Sequence, residues 1–328
     1  MRRREFLGVL GGVIAAGPAV AQAQPATLPV LGFLDSRSPE AMTGRLDAFH
    51  RGLKEAGFSE GENLKIEYRW ANNQLARLSV EAGDLVRRQP SVIVTSGGPS
   101  AALAAKAATT TIPIVFLVGE DPARLGLVDS LSRPSGNLTG VNLFANELEA
   151  KRLELLHQMV PHAVHVAVLV NSADPTYSET TLREVGAAAS RIGLQIRVLR
   201  AGTPREISEV FAGIGSQRPD ALFVGASAFL NLRRVQLAQL AAFHRLPAAY
   251  GFRDSAEAGG LMSYGTSISD TYRQLGGYAG RVLKGAKPAD LPVMQATKFE
   301  FVINATTAKL LDISVPPALL AIADEVIE

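Results

Sequence analysis

The sequence predicts an α/β protein of two similar lobes, each a doubly wound parallel sheet, joined by a three-segment hinge. Three observations predict it. Short apolar runs alternate with amphipathic helical stripes in the order β-α-β-α-β-α-β, the pattern of parallel strands covered on both faces. The pattern then starts again, with a near-constant offset between matching pieces. The final stretch holds too few elements for a third sheet, so it can serve only to return the chain to each lobe. The chain has 328 residues, 47% hydrophobic and 20% charged, enough for two cores and far from a disordered composition.

In the first half, Val30-Leu31-Gly32-Phe33-Leu34 is a buried strand ending in Asp35-Ser36-Arg37-Ser38. Leu46, Phe49, Leu53 and Ala56 then share one helical face that stops at Gly57. Leu64, Ile66, Tyr68 and Trp70 alternate with polar residues, the period of a strand. Leu75, Leu78, Ala82, Leu85 and Val86 form the next helical stripe. Ser91 to Val94 is a buried strand that opens into Thr95-Ser96-Gly97-Gly98-Pro99 and an alanine-rich helix. Ile112 to Leu117 is a further buried strand, ending in Gly119-Glu120-Asp121-Pro122.

In the second half, Leu148, Leu155 and Met159 mark a helix, and Val164 to Val170 a strand ending in Asn171-Ser172-Ala173-Asp174-Pro175. A helix follows to about Ile192, then a strand over Leu194–Leu199 and a helix over Pro204–Ile214. Ala221-Leu222-Phe223-Val224 is a strand ending in Gly225-Ala226-Ser227. A helix covers about Leu230 to Phe243, and Leu246 to Tyr250 is a strand. Leu31 answers to Ala167, Leu64 to Leu194, Pro90 to Pro219 and Ile112 to Leu246, offsets between 129 and 136 residues. The expected lobes are 28–142 plus 264–296, and 143–263 plus 297–328. The expected crossings between them are Val141–Phe144, Met262–Gly265 and Thr297–Phe301.

The first 23 residues read as an export leader of twin-arginine type. Arg2-Arg3-Arg4 precedes an apolar run over Gly8–Pro18, and small-x-small cleavage sites end at Ala21 and Ala23. Its removal takes three arginines and one glutamate from 33 basic and 31 acidic residues, leaving the rest neutral. No nucleic-acid footprint remains. With no cysteine, disulfides, thiolate metal sites and a cysteine nucleophile are excluded. No P-loop and no Gly-x-Gly-x-x-Gly turn follows a strand, so no nucleotide cofactor is expected. The five histidines lack metal-ligand spacing. Gly225-Ala226-Ser227-Ala228-Phe229 has the look of a nucleophile elbow, but Phe229 stands where the last glycine belongs.

What remains is a set of polar and aromatic strand ends, where α/β sheets hold ligands. The first lobe offers Asp35, Ser36, Ser96, Gly97, Gly98, Glu120 and Asp121. The second offers Asn171, Asp174, Tyr177, Ala226, Ser227, Phe229, Phe252 and Arg253. Facing each other, the two rims make a cleft for a small polar solute with an apolar part. Arg253 has a second reading as a partner of Glu257, four residues on.

The chain also resembles the tryptophan/tyrosine-binding (TrpX-like) family of bacterial ABC-transporter substrate-binding proteins. The residues that carry the resemblance are Ile112-Pro113-Ile114-Val115-Phe116 with Asp121-Pro122, Gly126-Leu127-Val128, Gly136-Asn137-Leu138-Thr139-Gly140-Val141, and Leu283-Lys284-Gly285-Ala286-Lys287-Pro288 through Pro292. The resemblance implies a type I periplasmic binding fold, with a ligand closed between the lobes and a permease and its ATPase as partners; with the export leader, the expectation is a non-catalytic, monomeric receptor in the periplasm. The implied ligand is an amino acid, aromatic or branched, or a related carboxylate. One position departs from the pattern. Phe252 follows Gly251 where relatives often carry an acid that holds an ammonium group, a part open here to Glu120, Asp121 or Asp174. An exported enzyme or a ligand-sensing receptor subunit on the same scaffold are the alternative readings.

Overall fold

The structure, a computed structural model, describes residues 28–143, 147–216 and 218–328; the expected leader and Phe144 of the first expected crossing lie outside them. The chain runs β1 (Val30–Asp35), α1 (Thr43–Glu55), β2 (Lys65–Trp70), α2 (Leu78–Arg87), β3 (Val92–Ser96), α3 (Pro99–Ala108), β4 (Ile114–Val118) and β5 (Leu138–Asn142). It continues α4 (Glu147–Met159), β6 (His165–Val170), α5 (Pro175–Ile192), β7 (Gln195–Arg200), α6 (Pro204–Ala212), β8 (Ala221–Val224), α7 (Ala228–Leu232), α8 (Arg234–Phe243), β9 (Ala248–Tyr250) and α9 (Arg253–Glu257). It ends β10 (Met262–Thr266), α10 (Ile268–Leu283), β11 (Met294–Gln295), β12 (Phe299–Asn304), α11 (Ala305–Leu310), α12 (Pro317–Ile322) and β13 (Glu325–Ile327).

Two sheets form, ordered β11-β5-β4-β3-β1-β2 and β13-β12-β10-β9-β8-β6-β7. Within them β2-β1-β3-β4 and β7-β6-β8-β9 share one order, so the internal repeat is a repeat of topology. The first sheet is parallel throughout. The second carries one antiparallel pair, β10 with β12, because β12 enters from the first lobe and runs against its neighbour. Two expectations change. Residues 138–142 form a fifth strand paired with β4, not only a crossing. Strand β10 lies wholly in the second sheet, so the second crossing falls at Ser267 and not within 262–265.

Each sheet is covered on both faces, as the continuous apolar runs require. In the first lobe Leu31, Phe33, Val92 and Val94 pack under Phe49, Leu53 and Leu275. Leu34, Ile93, Ile114 and Phe116 pack on the other face, against Leu85, Ala101 and Ala105. The second lobe divides in the same way. Helices α1 and α10 touch through glycines: a Cβ on Gly276 would fall 2.1 Å from the Phe49 carbonyl oxygen. Only a residue without a side chain permits that approach.

The three connecting segments lie together. Ser267 N–H donates to Lys298 O at 2.9 Å, Ala296 N–H to Asn142 O at 2.9 Å, and Thr266 Oγ1 to Leu143 O. Parallel winding brings the C-terminal ends of β1, β3 and β4 to face those of β6, β8 and β9 across one cleft.

Candidate functional site

The cleft holds about 900 Å³, counted with its open mouth, and is lined from both lobes. Its first jaw is the turn after β3. Gly97 and Gly98 have φ of +87° and +111°, backbone that L side chains rarely adopt. A Cβ on Gly97 would lie 2.4 Å from Ser36 Oγ, which instead donates to Gly97 O at 2.6 Å. A Cβ on Gly98 would lie 3.9 Å from Asp174 Oδ2 on the opposite lobe. The jaws are therefore nearly shut.

The second jaw is the start of α5. Asp174 caps that helix by accepting the Tyr177 N–H at 3.3 Å, and Pro175 pre-sets the first turn. Burial pushes the Asp174 carboxyl above its ordinary pKa, with the Tyr177 N–H working the other way. Ser227 caps α7 by accepting the Leu230 N–H at 3.2 Å. Tyr177, Ala226 and Phe252 form a small apolar cluster with Leu143 and Ile268, and Phe229 and Leu117 extend this wall.

Of the expected residues, Ser36, Gly97, Gly98, Glu120, Asn171, Asp174, Tyr177, Ala226, Ser227, Phe229 and Phe252 line the cleft. Four do not. Asp35 is fully buried and its carboxylate is held by Arg37, Nε to Oδ1 at 2.8 Å and Nη2 to Oδ2 at 2.7 Å. Burial works to raise the Asp35 pKa, but the Arg37 charge and hydrogen bonds outweigh it and leave the group below its usual value. Ser96, register partner of Asp35 across β1 and β3, spends its hydroxyl on the same carboxylate. Asp121 closes a turn by accepting the Ala123 N–H at 2.9 Å. Arg253 pairs with Glu257 at 2.6 Å and with Glu325 at 2.6 Å, outside the cleft.

Five polar liners were not expected: Arg37, Arg45, Asn73, Asn231 and Tyr272. Arg37 stands two residues past β1, so strand-end reasoning reaches it. Its Nη2 also meets the Tyr272 hydroxyl at 2.5 Å. Asn73 follows β2 in left-handed backbone, φ +61°, and its N–H donates to Ser36 O at 2.6 Å. Arg45 and Tyr272 sit on helices α1 and α10, away from the strand ends where the sequence places the site. Arg45 reaches across the cleft to Asp254 on α9, Nη2 to Oδ2 at 3.0 Å.

The acidic side is different in kind. Glu120 is only 4% exposed, and neither carboxylate oxygen has a hydrogen-bond partner. Burial raises its pKa to about 8, helped by Asp174 and Glu149; the nearby Gly119 and Glu120 N–H groups lower it without making well-formed bonds. Behind it, Glu149 accepts from Thr181 Oγ1 at 3.0 Å and from Tyr177 OH at 3.5 Å. Burial lifts Glu149 to about 7 despite the Arg152 charge. The cleft thus sets two guanidinium groups, Arg37 and Arg45, among the same walls as the carboxyls Glu120 and Asp174. An apolar and aromatic wall completes it. It can bind a small solute carrying both charge and apolar bulk.

Known proteins share this architecture. The chain is 26% identical to a tyrosine-binding protein of Clostridioides difficile strain R20291 over 264 residues, 80% of this chain and 75% of that protein. An ABC domain from Streptococcus pneumonia, solved in complex with L-Trp, superposes with a TM-score of 0.83 at 24% identity, covering 92% of this chain and 100% of that one. A conserved domain protein from Vibrio cholerae superposes at 0.82 and 24% identity, covering 91% and 99%. At these identities the two structures speak for the fold. The family described as ABC transporter substrate binding protein matches residues 33–327. The chain belongs to that family of ABC transporter substrate-binding proteins.

Proposed function

We propose that the protein is the exported, non-catalytic receptor of an ABC importer. It takes a small organic solute between its lobes in the periplasm and hands it to a permease. The solute is an amino acid, aromatic or branched, or a related carboxylate. The observation that carries this reading is the composition of the cleft walls: Arg37 and Arg45, Glu120 and Asp174, and the Tyr177–Ala226–Phe252 wall all line one volume. No two of these groups form a nucleophile–base pair. The relatives that bind tyrosine and L-Trp lend the aromatic choice further support.

In this reading the segments around residues 143, 267 and 296–298 act as the hinge. The ligand drives closure because it touches both lobes only when they are shut. Burying an aromatic group of about 150–250 Å² contributes roughly 4–6 kcal/mol before ordering costs. With the polar head satisfied, micromolar affinity follows. A thermal-shift and calorimetry panel of amino acids, aromatic acids and branched acids tests it. The expected result is a shift and a saturable isotherm for one chemical group. A panel in which no organic solute shifts the melting temperature refutes the reading.

A further inference from the structure

Among the described residues, Glu120 is the one cleft carboxylate whose two oxygens are both enclosed and both without a partner. Its place is fixed from behind, since Asn142 Nδ2 donates to its carbonyl oxygen at 3.1 Å. The groups that act on it are mostly acidic or neutral: Asp174 and Tyr177 on α5, and Glu149 on α4. Arg152 is buried, and its charge acts on Glu149. Of the cations that line the cleft among the described residues, Arg37 is engaged by Asp35 and Arg45 by Asp254. An ionised carboxylate shut into such a place without a counter-charge is strongly unfavourable. Two things relieve it: a proton, or a cation brought by the ligand.

Resting on the receptor reading above, we propose that Glu120 makes the cleft select ligands that carry a protonated amine over those that lack one. Its carboxylate receives that cation, and a proton takes the cation's place when a bound solute has none. Burial, which raises the Glu120 pKa to about 8, agrees with the second half of this statement.

The proposal has a thermodynamic signature that does not depend on whether the empty protein rests open or shut. A complex with an amine-bearing solute holds Glu120 ionised. A complex with the matching solute lacking the amine holds it protonated. The two complexes differ by one bound proton, so the ratio of their dissociation constants changes about tenfold per pH unit while Glu120 stays in those two states. The free protein cancels from the ratio.

The test is calorimetry on the purified protein with L-amino acids, each paired with its deaminated acid, at pH 5.5 and 7.5. The strongest binder should carry an amine, and its advantage over its deaminated partner should grow about 100-fold between the two pH values. In Glu120→Gln, which keeps the side-chain shape, the advantage should shrink and its pH dependence vanish. In Glu149→Gln, which leaves Glu120 in place, the advantage should persist. A strongest binder without a cationic group, a ratio flat with pH in the wild-type protein, or a Glu120→Gln variant with the wild-type preference overturns the proposal while the receptor reading stands. A panel with no binder at all removes the receptor reading and this inference with it.

Discussion

Replacing Asp254 by Asn takes one charge from the ion pair that bridges the two lobes. Arg45 belongs to α1 in the first lobe and Asp254 to α9 in the second, and their contact is 3.0 Å long. Their side chains are 11% and 34% exposed, so the pair is neither a surface bridge nor a fully buried one. Exposed pairs contribute about 0–1 kcal/mol and hydrogen bonds to charged groups about 1.5–3 kcal/mol. The exposure of Asp254 puts this pair between the ranges, at roughly 1–1.5 kcal/mol. Burial, and then the neighbouring Arg37 charge, already hold the Arg45 pKa below its usual value, so its lost partner is not replaced by water at full strength. Arg45 and Asp254 sit on opposite lobes, so opening the cleft parts them; for a free protein that rests open, the loss falls on closure and appears as affinity. Asp254→Asn should therefore weaken the best binder by roughly 5- to 12-fold. Calorimetry of the two proteins with one solute measures this, alongside a melting curve of each without solute. Equal affinities within twofold would refute the idea that this pair holds the lobes shut. The substitution is made at Asp254 because Arg45 itself lines the cleft.

Two further predictions concern the scaffold. Gly276→Ala places a methyl group 2.1 Å from Phe49 O and 2.8 Å from Leu53 N, so α1 and α10 must separate by about 1 Å. Overpacking of this kind costs about 1–3 kcal/mol, or several degrees of melting temperature, and an unchanged melting curve would speak against the close contact. Burial raises the Glu149 pKa from its ordinary 4.5 to about 7. A raised acid stabilises the folded form fully below the unfolded pKa and loses that contribution as pH rises through the folded value. The melting temperature should therefore fall between pH 5 and pH 8, and fall less in Glu149→Gln. Identical pH profiles for the two proteins would remove Glu149 from the account.

Much of the fold was legible because apolar runs must be buried on both faces, and the repeat then marks two sheets. The cleft was legible to the extent that ligands sit at strand ends: Ser36, Gly97, Gly98, Glu120, Asn171 and Ser227 all line it. The same rule could not choose among neighbours at one strand end. Asp35 and Ser96 sit side by side in register, so they satisfy each other and Arg37 takes the place at the cleft. The Arg253–Glu257 pair was written in its four-residue spacing, whereas Glu325 reaches Arg253 only through the folding back of the C-terminal segment.

The order of strands and helices, the doubling of the lobe, the glycine turn after β3 and the acids near the cleft are properties of the sequence alone. They follow from local periodicity and from backbone positions that only glycine tolerates. The tertiary structure decided that Arg45 and Tyr272 enter the cleft from helices, that β10 stays with the second sheet, and that Glu120 is left without a partner. Those outcomes depend on register and on lobe closure, which set residues far apart in the chain against one another. A side chain's local sequence does not carry that information.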